Sequence, residues 1–433
     1  MEKTMGTYWN RFSQWMGHTR LYIIAMAKWL TLAVVVGGFC GLIGTAFHMG
    51  IHEAEVLRTA QPWLLFCLPV AGLAIVGLYR LLRAEGLGTN DIIEAVHHGK
   101  PLTIRLLPSI FVGTMLTHLC GGSAGREGAA LQMGGTVGWN VGRLFHLDDR
   151  DLRTATLCGM AAFFSALFGT PLTASVFAIV VISIGVLYHA AFIPCLTASL
   201  VAYWISVKLG VAPTRFTVAA PELAAVPLMQ VAILAVGCGL VALLFCRILH
   251  GTEHLLKHRV PNPWLRVVLG GMAVIVLTLL CGTRDYNGAG INIITAAVEH
   301  GSVRPEVFLL KIVFTAVTLA AGFKGGEVVP SFFVGATFGC AVGPLLGLPA
   351  GFSAAVGLVA VFCGVTNCPL ASIFLSVELF GDGGLLYFAA ACAISYVLSG
   401  YDGLYSSQTI LYSKLKAQYI NVRTTHHHAG QQH

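Results

Sequence analysis

Charge is scarce in this sequence. Its 433 residues include 26 Lys and Arg and 19 Asp and Glu, so charged side chains make up 10% of the chain against 56% apolar ones. The mean hydropathy is +0.78. A soluble domain carries about 25% charge, so this chain lacks the polar surface needed to cover itself in water and reads as a polytopic membrane protein. No CxxC pair occurs among the twelve cysteines, most of which sit in apolar stretches (Cys40, Cys67, Cys195, Cys238, Cys246, Cys281, Cys392). That argues against a disulfide framework or a cysteine metal site and for small buried hydrophobes. HExxH and GxSxG are also missing, and the HEAE at 52–55 has no second histidine, which argues against an intramembrane enzyme. The net charge of +7 is not gathered into a basic surface, so nucleic acid is not an expected partner. No cofactor is expected.

Apolar stretches run along the whole chain, so a single cleaved signal peptide does not account for them. The first, Trp29 to His48, follows a polar segment with Lys3, Arg11, Arg20 and Lys28, and the far end carries Lys414, Lys416 and Arg423. Positive charge at both ends predicts that both termini are cytoplasmic. The histidines at 426–428 read as part of a polar end.

The chain is written twice. GTNDIIEAVHHG (88–99) and GINIITAAVEHG (290–301) agree at seven of twelve positions, and Gly125, Glu127 and Gly135 recur 200 residues later as Gly325, Glu327 and Gly335. PLTASVF (171–177) returns as PLASIF (369–374). Blocks recurring in one order at near-constant spacing predict two halves, with a boundary near APTRFTVAAPEL (212–223). The resulting division is a cytoplasmic N-terminal segment (1–28), a first repeat (29–215), a second repeat (216–418) and a polar cytoplasmic tail (419–433). Duplicated halves in a membrane predict a transporter with its site near the midplane; a duplicated structural bundle is the alternative.

Hydropathy predicts full crossings at 61–82, 224–248 and 305–322, since about 20 residues are needed. Shorter, glycine- or proline-broken segments lie at 126–144, 154–169, 171–188, 328–345 and 354–380. Matching short segments in both halves predict helices that end inside the membrane around a site. Each repeated block places glycines and a small or polar residue ahead of an apolar helix: EGLGTND, GGSAGREG and GFKGGEVVP. Such a helix start offers unpaired N–H donors and about half a positive charge, an anion site without a cationic side chain.

Glu127 and Glu327 fall in the first turn of these helices. Acids there often do no more than complement the dipole, but an ionisable group inside a membrane is a functional candidate. Ionised, such a carboxylate can occupy the anion site itself; protonated, it leaves and carries a proton with it. Arg126 reads as snorkelling or pairing with a carboxylate, and His118 and His189 as satisfied helix histidines. Asp91 and Lys324 flank the helix starts without a clear role, and Glu378 faces either a vestibule or the core.

GREG followed by ALQMGGTVG, with FGTPLTASVF further on, resembles the CLC family of anion channels and anion/proton antiporters, from about Gly37 to Lys416. The resemblance implies an all-α inverted repeat of tilted, partly discontinuous helices, a homodimer, one pore per subunit and a cell-membrane (bacterial inner-membrane) location. It implies that Glu127 is the gate, that Tyr405 in GLYSSQTI lies beside the anion, and that Leu87, Gly88, Thr89, Asn90, Gly125, Arg126, Gly128, Val328 and Val329 line the anion site. Several positions depart from the chloride pattern. Leu87 stands at the anion-contacting serine, GREGA replaces Gly-Arg-Glu-Gly-Pro, Val180 and Val181 stand where proton-coupled members have an internal glutamate pair, and Glu327 stands at an apolar position. This combination resembles the fluoride branch of bacterial fluoride/proton antiporters, although Leu87 and Val329 differ from the methionine and threonine usual there. The resulting expectation is export of fluoride against protons, with chloride or mixed-anion channel or exchange activity as the alternative. The glycine-rich GGFCGLIG (37–44) permits close helix contact without identifying a partner.

Overall fold

The computed structural model describes residues 2–416 and 418–424. Its first half runs α1 (Glu2–Ala60), α2 (Leu68–Leu81, after a 3-10 turn at Pro62–Cys67), α3 (Thr89–His98), α4 (Leu106–Leu119), α5 (Glu127–Leu144), α6 (Asp149–Phe168), α7 (Pro171–Val180) and α8 (Phe192–Lys208). The second runs α9 (Ala225–Arg259), α10 (Pro263–Cys281), α11 (Ile291–Glu299), α12 (Val307–Ala321), α13 (Val328–Val342), α14 (Ala350–Thr366), α15 (Pro369–Phe380) and α16 (Leu385–Leu398). The same partners pack in each half: α5 on α6 and α13 on α14, α1 on α8 and α9 on α16, α3 on α5 and α11 on α13.

Glycines set the closest of these crossings. A Cβ on Gly138 of α5 would strike the Ala155 carbonyl of α6, and one on Gly134 the Gly159 carbonyl. In the second half Gly335 and Gly339 of α13 meet Gly357 and Ser353 of α14 in the same way. Small residues four apart let two backbones touch, which substitutes for the hydrophobic drive that lipid does not supply between helices. Gly37 and Gly41 of α1 pack on Ala198 and Ala202 of α8, so the close contact permitted by GGFCGLIG is made within the chain.

The halves meet through α7 against α15, through α5 against α13, and through an antiparallel pair of backbone hydrogen bonds between Gly125 and Gly326, 2.7 and 2.8 Å long. One core contains residues of both halves, among them Ala129, Phe164, Phe177, Phe332, Val329 and Phe362. Outward faces remain apolar: Trp63, Val70, Met229, Leu240, Met272 and Leu280 are exposed, which suits lipid and not water. Cys67 and Cys281 are half-buried and the other ten cysteines buried.

Six helical stretches are long and apolar enough to cross a membrane among the described residues: Tyr22–Ala60, Pro62–Leu81, His189–Lys208, Ala225–Arg259, Pro263–Cys281 and Val328–Leu346. Two segments differ from the hydropathy reading. The crossing expected at 305–322 is the 15-residue α12, about 22 Å at 1.5 Å per residue against a hydrocarbon core of about 30 Å. The segment 354–380, expected to be broken, is two helices, separated where Asn367 adopts φ 59° and caps α14 ahead of Pro369. Helix α7 stops at Val180 instead of running to 188.

The all-α expectation omits one small sheet. Ser183–Ile184 (β1) pairs in parallel with Thr409–Tyr412 (β2), which pairs antiparallel with Tyr419–Arg423 (β3). It straps the chain after α16 to the end of α7. Residues 425–433, with the histidines at 426–428, lie outside the described residues.

Candidate functional site

The two repeated helix starts face each other across the Gly125–Gly326 bridge. Glu127 opens α5, Glu327 caps α13, and the Glu127 side chain is fully buried. Its Oε2 accepts from the Arg126 N–H at 2.9 Å, the start of its own helix, and from the Val329 N–H at 3.3 Å, the first turn of α13. A carboxylate therefore sits where two helix N-termini from opposite repeats converge, each offering free N–H groups and positive potential. Its other oxygen, Oε1, has no hydrogen-bond partner among the described residues, and the Arg126 Nε lies 3.7 Å from it.

Glycines make this seat possible. A Cβ on Gly125 would strike Oε2 of Glu127 and approach the Gly326 carbonyl at 3.1 Å; one on Gly128 would lie 2.9 Å from Gly326 Cα and 3.3 Å from Glu327 Oε2. The second glutamate thus comes close to the start of the opposite repeat's helix. Its Oε2 is buried without a hydrogen-bond partner among the described residues. Val328 and Val329 are buried behind it.

Glu327 also lines a cavity of about 680 Å³ together with Leu87, Gly88, Thr89, Asn90 and Tyr405. The candidate residues therefore fall into two joined groups. Gly125, Arg126, Glu127, Gly128, Val328 and Val329 form a packed seat, the others line an open volume, and Glu327 touches both. Tyr405 is 2% exposed, with a hydroxyl that has no partner among the described residues. The N-terminus of α3 is less free than its glycines suggest: the Gly88 N–H donates to Asp91 at 2.9 Å, and Lys100 pairs with the same carboxylate at 2.5 Å. The Asn90 Oδ1 accepts from the Ser407 N–H at 3.1 Å, tying α3 to the segment that carries Tyr405.

The remaining polar residues take definite places. Arg126 donates to His48 Nδ1 at 3.1 Å besides facing Glu127. His118 bridges the Glu55 carboxylate at 3.2 Å and the Gly125 carbonyl at 3.4 Å. Glu378 accepts from the Leu172 and Thr173 N–H groups at 3.0 and 2.8 Å, capping α7 from the opposite half. Val180 and Val181 are buried. The sequence reading overlooked Gln132, which lines the cavity and donates to Thr89 Oγ1 at 2.9 Å; a lone glutamine in ALQMGG gives no signal by itself.

Fold and site together define an integral membrane protein of two inverted repeats whose broken helices meet at a buried carboxylate. The chain belongs to the voltage gated chloride channel family, whose model matches residues 71–400, and so stands among channels and transporters. A protein of Pseudomonas syringae pv. tomato called chloride/fluoride channel protein is 38% identical over 400 residues, covering 90% of this chain and 88% of that one. The H(+)/Cl(-) exchange transporter ClcA of Yersinia pestis is 28% identical, covering 81% and 80%. Among solved structures, that of a CLC-type fluoride/proton antiporter superposes with a TM-score of 0.85 at 32% identity, covering 89% of this chain and 98% of the other. A slow cyanobacterial Cl-/H+ antiporter shares the fold, with a TM-score of 0.73 at 21% identity.

Proposed function

We propose that this chain is a secondary active antiporter that exports fluoride from the cell in exchange for protons. The observation that carries the reading is the Glu127 carboxylate held by N–H groups of both repeats. Where a carboxylate is seated, a small anion can be seated by the same donors once the carboxylate leaves. Protonation removes the charge that holds Glu127 there, so release of the gate takes up a proton. That links anion movement to proton movement in one step.

Glu327 supports coupling further. Val180 and Val181 carry no proton, whereas Glu327 offers a titratable group between the seat and the cavity. Gly125, Arg126, Gly128, Val328 and Val329 form the anion seat; Leu87, Gly88, Thr89, Asn90 and Tyr405 line its approach. With leucine at 87, no side-chain hydroxyl coordinates chloride there, and a small, strongly hydrated anion is served by the close backbone donors. The relatives at 38% and 32% identity, a chloride/fluoride channel protein and a fluoride/proton antiporter, support fluoride as the cargo. Every candidate residue comes from one chain, so a homodimer would hold two separate pathways. Both termini face the cytoplasm, and the membrane is the bacterial inner membrane. A chloride or mixed-anion channel of the same fold is the second reading, favoured by the missing titratable groups at 180 and 181.

The test is fluoride efflux from liposomes holding the purified protein, with proton movement recorded in the same vesicles. Wild type is expected to move protons against fluoride, and Glu127→Gln to lose proton movement by about 100-fold, as when a positioned proton-transfer group is deleted. Fluoride flux without protons in wild type, or chloride passing as readily as fluoride, would leave a channel.

A further inference from the structure

Both ring nitrogens of His118 face acceptors: Nδ1 lies 3.2 Å from the Glu55 carboxylate and Nε2 3.4 Å from the Gly125 carbonyl. A carbonyl oxygen and an ionised carboxylate only accept, and a neutral imidazole has one N–H to give. Making both bonds therefore takes one proton more than a neutral histidine beside an ionised glutamate holds. That proton sits on the ring, then an imidazolium, or on Glu55, whose O–H then donates to Nδ1. In either arrangement Nε2 keeps its hydrogen on the Gly125 carbonyl. Once the extra proton is lost, the remaining N–H goes to the stronger acceptor, the Glu55 carboxylate, and the bare Nε2 faces the Gly125 oxygen.

That oxygen belongs to the seat. It also accepts from the Gly326 N–H at 2.8 Å in the bridge between the halves, and an added Cβ on Gly125 would strike Glu127 Oε2. The His118 side chain is wholly buried, whereas that of Glu55, near the end of α1, is 30% exposed. A proton on the pair therefore has an exit to water, and neither residue lines the cavity that holds Tyr405. The charged neighbours are mostly cations. Arg58 of α1 and Arg126 beside Glu127 are near enough to act on the Glu55 charge, as is Lys311 of α12, whose ammonium donates to the Tyr286 and Gly288 carbonyls. Arg284 lies near Arg58, and His48 and His52 of α1 lie near each other, His48 on the Arg126 guanidinium. Tyr79 of α2 and Lys324 lie against Gly113, more than a turn earlier on α4.

We propose that Glu55 and His118 form a proton-holding pair that positions the Gly125 turn of the Glu127 seat, firm while the proton is held and loosened when it leaves through Glu55 to water. In the orientation proposed above, that water is outside the cell. His118 is a positioning residue: it acts through the Gly125 carbonyl and not on the anion. Its effect on transport rests on the function proposed above; the held proton rests on the two acceptors.

Two readouts on the purified full-length protein test it. The first is nitrogen-15 NMR of histidine-labelled protein, with the His118 signals identified by their loss in His118→Gln. In wild type Nε2 is expected to be protonated in acid medium and bare in alkaline medium. In Glu55→Gln it should stay protonated throughout, because the glutamine amide donates to Nδ1 and leaves the ring hydrogen on Nε2. Glu55→Gln changes a partly exposed position and carries the test by its difference from wild type if His118→Gln does not fold. The second readout is fluoride efflux from liposomes as the outer pH is raised. The ratio of wild-type to Glu55→Gln efflux should fall about tenfold from acid to alkaline medium, the worth of one hydrogen bond. Nε2 protonation that is the same in wild type and Glu55→Gln at alkaline pH overturns the held proton. A ratio that does not change with pH overturns the positioning role, since a merely structural Glu55 lowers efflux equally at every pH. A wild type that moves no fluoride sinks the proposed function, and the spectra still decide the pair.

Discussion

Gly128 has no room for even a methyl group. An added Cβ would sit 2.9 Å from the Gly326 Cα and 3.3 Å from Glu327 Oε2, and backbone cannot swing aside as a flexible side chain can. Gly128→Ala is therefore expected to push the two helix starts apart and destabilise the protein by about 1–3 kcal/mol, the usual consequence of overpacking. The check is its thermal unfolding midpoint in detergent, read beside that of Gly38→Ala, where an added Cβ has nothing within 4 Å. Equal midpoints would mean the close approach is not required. At this scale the sequence was informative about which residues matter: Glu127, Glu327 and Gly128 stand out from their repeated glycine settings. It did not say what they touch, because the Val329 N–H that holds Glu127 comes from 202 residues further along the chain.

Helix α7 begins at Pro171, and a helix start leaves N–H groups without partners. Here they are met from outside the element, by the Glu378 carboxylate near the end of α15. Glu378→Ala leaves the Leu172 and Thr173 N–H groups unmet in a partly buried place. A loss of about 1–3 kcal/mol is expected, the cost of leaving a buried donor without its partner. It should appear as a lower unfolding midpoint, with Glu378→Gln intermediate because its amide oxygen can still accept. An unchanged midpoint for Glu378→Ala would reduce the contact to a surface pair. From sequence alone Glu378 was ambiguous between vestibule and core, since PLASIFLSVELF does not reveal what lies opposite. Asn367 shows what hydropathy leaves open: the segment 354–380 reads as broken, and one residue in the left-handed region fixes where α14 ends and α15 begins.

The whole molecule places its complete candidate site inside one chain, while several large apolar side chains of α8, such as Ile193, Leu200 and Trp204, face outward. Under the proposed homodimer, light scattering in detergent, corrected for the micelle, should give twice the 46.0 kDa chain mass. A single-chain mass, with fluoride movement intact in liposomes, would show that one copy suffices.

The sequence by itself determined the membrane setting, the duplication and the helix starts, because each is local. Scarce charge decides the solvent, recurring blocks decide the repeat, and glycine followed by an apolar run decides where a helix begins. Only the tertiary structure decided that those starts meet. The Gly125–Gly326 bridge, the placing of Glu327 between seat and cavity and the capping of α7 by Glu378 all join residues of opposite halves. Backbone and side-chain donors find partners by proximity in space, and along the chain those partners lie tens to hundreds of residues apart.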